Sequence, residues 1–194
     1  MYIKEKELSK CITMLFEILL AAISISPISA CGGPKISSIL NCDTIKPGNT
    51  SVDFAQPMAD GDEFIFRGKL FVKEALTRTR AIFDLEGSNG GIVLHFRYDF
   101  QSGGQREKIV LNSWTGSAWG NELHHASPFK PGQQVEIHVK KIGSIYEITV
   151  TDGVVLTFPH RLAASRNPIS FSYLGDWTVS SIQMICAKQN SDSE

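Results

Sequence analysis

Charge of one sign is what this sequence most clearly lacks: 19 Lys and Arg stand against 20 Asp and Glu, a formal net charge of −1 over 194 residues. A nucleic-acid partner would want a basic stripe and a membrane surface a polybasic cluster, and the balanced charge supplies neither. Long hydrophobic runs are also missing. The longest, Cys11 to Ile25, is interrupted by Glu17 and falls short of the roughly 20 residues a bilayer span takes. Beyond residue 30 no segment has helical periodicity, and no internal repeat is visible, so the pattern describes one domain rather than a tandem pair. Clustered metal ligands are lacking too. His124 and His125 are adjacent, but neighbouring strand residues point to opposite faces and cannot easily chelate one ion, so neither a metal nor a cofactor is implied.

The first 30 residues read as a signal peptide: a lysine-containing start, an apolar stretch, and small residues leading to Ser29-Ala30. The alternative is a cytosolic leader or anchor helix, because Lys4, Lys6 and Lys10 are matched by Glu5, Glu7 and Glu17. Removing this segment leaves 16 basic and 17 acidic residues, still without a dominant sign. The expected destination is extracellular, with no membrane insertion after processing. The remainder divides into an N-terminal extension over 31–52, one domain over 53–187 and a polar tail over 188–194.

Within that domain, β-branched and aromatic residues recur with alternation over 63–72, 80–85, 91–100, 107–113, 122–125, 134–140, 144–151, 154–158, 169–174 and 178–186. Ser88-Asn89-Gly90-Gly91, Ser102-Gly103-Gly104 and Asp152-Gly153 punctuate them as hairpin turns. Short strands at this spacing predict an all-β, two-sheet antiparallel sandwich.

The window from His95 to His124 carries the chemistry. Period-two alternation turns Leu94, Phe96, Tyr98 and Phe100 to a core face and His95, Arg97 and Asp99 to a wet one. In the next strand Ile109 and Leu111 take the apolar side, leaving Val110 and Asn112 beside His95; Glu122 and His124 follow with the same parity. Trp119 precedes Gly120, where the chain can turn and present an indole at the rim of this expected concave surface. An indole suits the apolar C–H face of a pyranose, and amide, imidazole and carboxylate groups can read hydroxyl directions. Trp114 and Trp177 read instead as packing. Glu122 has the duller alternative of a solvated surface acid.

The pattern H-F-x-x-x-F, V-x-N and W-G-x-E, carried by His95, Asn112, Trp119 and Glu122, resembles the galectin signature and keeps its spacing. The resemblance extends to Gly61 through Gly68, Phe129-Lys130-Pro131-Gly132 and Phe158-Pro159-His160-Arg161-Leu162, covering roughly residues 51 to 187. It implies a galectin-type carbohydrate-recognition domain over 53–187, a jelly roll without catalytic activity, with glycans or glycoproteins as partners. Three sugar-facing positions depart from the family pattern: Arg97 stands where an Asn is usual, Asp99 where an Arg is usual, and His124 where an Arg is usual. An ionised Asp only accepts hydrogen bonds whereas Arg only donates, so contacts to an axial hydroxyl cannot be copied. Arg97 and Asp99 share a face and are expected to pair, leaving Arg97 as a substitute donor or a plug. If His124 takes the supporting role of the missing Arg, its protonation, ordinarily near pH 6.5, would strengthen binding in mild acid.

Without Cys11 the mature chain keeps Cys31, Cys42 and Cys186, an odd number. Termini of jelly rolls often run side by side, so Cys42–Cys186 or Cys31–Cys186 are the candidate disulfides. Asn49-Thr50-Ser51 is a candidate N-glycosylation sequon.

Three functions compete. The first is a secreted, non-catalytic lectin for β-galactoside-type or related glycans through His95, Arg97, Asn112, Trp119, Glu122 and His124. The second is a scaffold that has lost sugar affinity and binds protein. The third is a glycosidase; Asp99 and Glu122 are its only obvious carboxyl pair, and no compact acidic motif of such enzymes is present. A homodimer is compatible with the first and would raise apparent affinity by engaging two sites.

Overall fold

A computed structural model describes residues 36–45, 50–54, 56–71, 80–100, 106–163 and 167–187, with backbone alone for 36–45 and 50. The leader, Asn49, Cys31, the 102–104 turn and the polar tail lie outside the described residues. The chain divides into two units between Ala30 and Cys31, and every strand belongs to the second.

Among the described residues, twelve strands form two antiparallel sheets. The first has the order β1 (Ile36–Ile45), β12 (Trp177–Ile185), β3 (Glu63–Leu70), β8 (Gln134–Ile142), β9 (Ile145–Val150), β10 (Val154–Pro159). The second runs β2 (Thr50–Asp53), β11 (Pro168–Gly175), β4 (Arg80–Gly87), β5 (Ile92–Asp99), β6 (Lys108–Trp114), β7 (Leu123–Ala126). The all-β, two-sheet jelly-roll sandwich expected from alternation is the architecture found. Strands β3 to β12 fall within two residues of the predicted spans. The extension expected over 31–52 contributes two further strands, β1 beside β12 and β2 beside β11, so it is built into the sheets.

Alternation explains the core. Phe64 and Phe66 of β3, Phe83 of β4, Phe96 of β5, Phe171 of β11 and Trp177 of β12 are all buried between the sheets. Phe83 and Phe96 stack at 4.8 Å and 4° across paired strands, and Phe66 meets Trp177 at 4.5 Å. Such ring pairs add about 0.5–1.5 kcal/mol each beyond the area they bury. Trp177 is therefore the packing residue the sequence suggested. Three residues, Thr151 to Gly153, join β9 to β10 between the paired Val150 and Val154, with positive φ of 69° at Asp152 and 75° at Gly153.

With the inward side chains committed to this core, β5 must show His95, Arg97 and Asp99 outward, and β6 must show Val110 and Asn112 beside them. The site is thus fixed by the same alternation that builds the interior.

Cys186, just past β12, is disulfide-bonded. Of the two candidate partners, Cys31 lies outside the described residues, and Cys42 sits in β1, where the backbone alone is described.

Candidate functional site

Antiparallel register lays the polar side chains of the second sheet in rows. Asp84 of β4 is opposite His95 of β5, which is opposite Asn112 of β6. Two residues along, Ile82, Arg97, Val110 and His124 form the next row, and Arg80, Asp99 and Lys108 the one after. His95 and Asn112, predicted to share a face, are direct partners.

His95 is held from below. Its Nδ1 lies 2.6 Å from Oδ1 of Asp84, and both groups are buried. Burial raises the Asp84 pKa, and the hydrogen bond and charge of His95 pull against that rise. With Nδ1 engaged, Nε2 is the nitrogen left for a ligand.

Trp119 is 50% exposed. Its ring meets His95 edge-on at 4.8 Å and Trp114 at 5.3 Å, so the indole is propped on two sides. The hairpin carrying it is closed by Thr115 N–H to the Ala118 carbonyl at 3.0 Å and Gly120 N–H to the Ser113 carbonyl at 2.9 Å. Trp114, read from sequence as structural, packs on this platform rather than in the core.

Gly120 lets Arg161 and Asn112 approach closely. A β-carbon there would lie 3.0 Å from Nη1 of Arg161 and 3.2 Å from Oδ1 of Asn112. Arg161, just past β10 in the other sheet, donates to the Asn121 carbonyl at 2.6 Å and to Asn112 Oδ1 at 3.4 Å, with its guanidinium 4.7 Å over the Phe158 ring. Asn112 Oδ1 also accepts from Ser113 N–H at 2.8 Å. Its oxygen is thereby occupied, and its NH2 is the group left to donate.

The departures Arg97, Asp99 and His124 form a chain of charge with Glu122. Arg97 grips Asp99 bidentately, Nε to Oδ1 at 2.9 Å and Nη2 to Oδ2 at 3.1 Å, and gives Nη1 to Glu122 Oε1 at 3.0 Å. His124 Nε2 lies 2.7 Å from the other Glu122 oxygen. Glu122, just before β7, has its pKa lowered, first by the His124 hydrogen bond and then by the charge and hydrogen bond of Arg97, against a desolvation that would raise it. Each guanidinium nitrogen of Arg97 thus gives one N–H to a carboxylate, and two of its five N–H donors stay outside these bonds. His125 turns the other way: it pairs with Ile109 in the ladder, and its Nε2 is buried. Among the described residues, no group of three or more His, Cys, Asp or Glu is placed to hold a metal ion, and no helix is long and apolar enough to cross a membrane.

The family model for galactoside-binding lectins matches residues 49–184, well over half of the chain and all of the strands that carry the site. The chain belongs to that family. Galectin-1 of Sus scrofa is 34% identical over 82 residues, covering 42% of this chain and 61% of the relative, and the β-galactoside-binding lectin of Electrophorus electricus is 26% identical over 87 residues, covering 44% and 67%. The chain thus spans about three-fifths of the length of the mammalian galectins it matches. Among solved structures, toad ovary galectin in complex with thio-digalactose superposes with a TM-score of 0.61 at 22% identity, covering 72% of this chain and 99% of that one. CG-16, a homodimeric agglutinin from chicken liver, gives 0.60 at 24%, covering 71% and 99%. At these identities the structures establish the galectin fold.

Two residues of this galectin-family face were not singled out from sequence. Asp84 had a signal, since alternation over Ala81, Phe83 and Leu85 turns it outward, but pairing it with His95 needs the β4–β5 register. Arg161 had none beyond the family motif it sits in, because its reach depends on one sheet's end meeting a loop of the other.

Proposed function

We propose that the chain is a non-catalytic lectin that holds a β-galactoside-type or related glycan on the outer face of the β4–β5–β6–β7 sheet. The sugar's C–H face lies on Trp119, His95 and Asn112 read hydroxyls, Glu122 accepts from one, and Arg97 and His124 orient Glu122. The observation that carries this is the half-exposed Trp119 indole standing against His95, whose ladder partner is Asn112. Thio-digalactose bound to the toad galectin of the same fold supports the ligand class. A glycosidase is disfavoured by the charges: an acid catalyst needs a raised carboxyl pKa, and Glu122 is shifted down while Asp99 is tied to Arg97.

Export supports the same reading. Cys186 is disulfide-bonded, which fits an oxidising compartment and the leader read over 1–30. Two copies acting together, as in the homodimeric chicken agglutinin, would give a weak single site useful avidity.

The test is retention of the purified domain on galactose-linked resin with lactose elution, beside Trp119→Ala. The wild type is expected to be retained and eluted, and the variant to run through while keeping its unfolding midpoint. Passage of the wild type, coupled with no signal on a glycan array, would leave the protein-binding scaffold as the better account.

A further inference from the structure

At the open edge of the second sheet, where β6 begins and β7 ends, lies a cavity of about 620 Å³. Arg106 and Lys108 line it from the entry to β6, and His124 and Ser127 line it from β7 and just beyond; Glu107 is the single acid in its wall. It runs on from the site already described, because His124 also holds Glu122 and Lys108 Nζ lies 3.9 Å from Asp99.

Positive charge is in excess here. Three cations converge on the Asp99 carboxylate: Arg97 at 2.9 Å, Arg80 at 3.6 Å and Lys108 at 3.9 Å. Arg97 takes both carboxylate oxygens, so Arg80 and Lys108 are left beyond hydrogen-bonding range with their donors unspent. Arg106 is exposed and has no ion pair among the described residues. Glu107 offsets only one of the two cations in the wall, and its charge also bears on the Tyr98 hydroxyl, whose pKa burial raises first and Glu107 second.

We propose that this cavity is a subsite for an anionic substituent, a sulfate or a carboxylate, on the far end of a glycan that starts on Trp119 and runs past Glu122 and His124. The inference rests on the lectin reading and narrows its substrate class to acidic glycans. Lys108 and Arg106 supply charge-assisted hydrogen bonds to the anion, and neither has to break a strong existing bond to do so. The Arg97–Asp99 exchange gains a rationale: with Arg97 anchored by Asp99, the cations around that carboxylate are free to act at the sheet edge.

Calorimetric titration of the mature chain with lactose, a sulfated lactose and a carboxylate-bearing lactose tests this at low and high salt. The acidic sugars are expected to bind about tenfold tighter than lactose, the worth of one charge-assisted hydrogen bond. That advantage shrinks as salt screens it. Arg106→Ala and Lys108→Met are expected to bring the acidic sugars to the lactose level and leave lactose binding as it was. If either variant fails to fold, the salt dependence of the unaltered chain decides. A gain for only one of the two acids supports the subsite and identifies its anion. Equal affinity for neutral and acidic sugars overturns the subsite and leaves the lectin reading standing, as does a gain untouched by both substitutions. No binding of any galactoside overturns both.

Discussion

Nδ1 of His95 lies 2.6 Å from Oδ1 of Asp84 on the neighbouring strand, and this bond selects the imidazole nitrogen that a ligand meets. An ionised Asp84 can only accept, so it fixes the proton of a neutral ring on Nδ1 and leaves Nε2 as an acceptor. Asp84→Asn offers Nδ1 an amide donor of the same shape and moves the proton to Nε2. Lactose affinity is expected to fall about fivefold, the worth of one neutral hydrogen bond, with the unfolding midpoint little changed. Nitrogen chemical shifts of the His95 ring check the tautomer; unchanged shifts beside unchanged affinity would sink the assignment.

Arg97 and Asp99 place a cation and an anion where the pattern usual in galectins has a neutral Asn and an Arg. Because Arg97 is tied to both Asp99 and Glu122, neither single substitution is expected to recover the axial-hydroxyl contacts that Asp99 cannot make. Asp99→Arg alone sets a cation among Arg80, Arg97 and Lys108, and Arg97→Asn alone leaves Asp99 unable to donate. The double substitution Arg97→Asn with Asp99→Arg is expected to raise lactose affinity about tenfold. It should also lower the unfolding midpoint, since the new cation still faces Arg80 and Lys108. Titration of all three variants checks this, and a single variant matching the double would contradict it.

How much of this could be read from sequence follows from which contacts are local. Period-two alternation places His95, Arg97, Asn112 and His124 on one face without any knowledge of the partner sheet, and the structure puts them there. The β1 strand escaped because Ser37, Ser38, Asn41 and Asp43 mix with its apolar residues, and its pairing depends on the distant edge of β12. Arg161 escaped for a similar reason. Its bond to Asn112 joins positions 49 residues apart and exists only once β10 of one sheet is brought to the β6–β7 loop of the other. The charge pairing of Arg97 with Asp99 was legible from two-residue spacing; its second bond, to Glu122, required the fold.

A separate charge cluster on the other sheet sets a pH dependence of stability. His138 of β8 lies 2.6 Å from Glu63 through Nδ1 and 2.6 Å from Glu136 through Nε2, and Arg67 grips Glu136 at 2.8 Å and 3.0 Å. Burial alone would lower the His138 pKa, but the two carboxylates outweigh it and the net shift is upward. A raised folded pKa means the stabilisation is full below the ordinary histidine value near 6.5 and is lost as pH rises through the folded one. His138→Gln is therefore expected to lower the unfolding midpoint by a few degrees in mild acid, about 1 kcal/mol for so exposed a cluster, and by less above neutrality. Glu136 acts on the opposite limb. Its pKa is lowered, first by the Arg67 hydrogen bond, so its contribution is present above the ordinary carboxylate range and lost as pH falls through the depressed value. Midpoints of wild type and variant across pH check both limbs, and a difference that grows toward alkaline pH would contradict the first.

The β1–β12 ladder discriminates between the two candidate disulfides. Ile36 is opposite Ile185 and Asn41 opposite Ser181, so Cys42 lies at least five residues along the ladder from Cys186. At strand rise that is about 16 Å, whereas a disulfide needs α-carbons within about 7 Å. Cys186 is nevertheless disulfide-bonded, and the other candidate, Cys31, precedes in sequence the end of β1 that pairs with Ile185. Non-reducing peptide mapping is expected to join Cys31 to Cys186 and to find Cys42 open to alkylation. Cys31→Ser should then lower stability by about 5 kcal/mol on the chain-entropy account, and Cys42→Ser by far less. Recovery of a Cys42–Cys186 peptide would mean that β1 pairs with β12 in a different register, because only a slide of several residues brings those two backbones within reach.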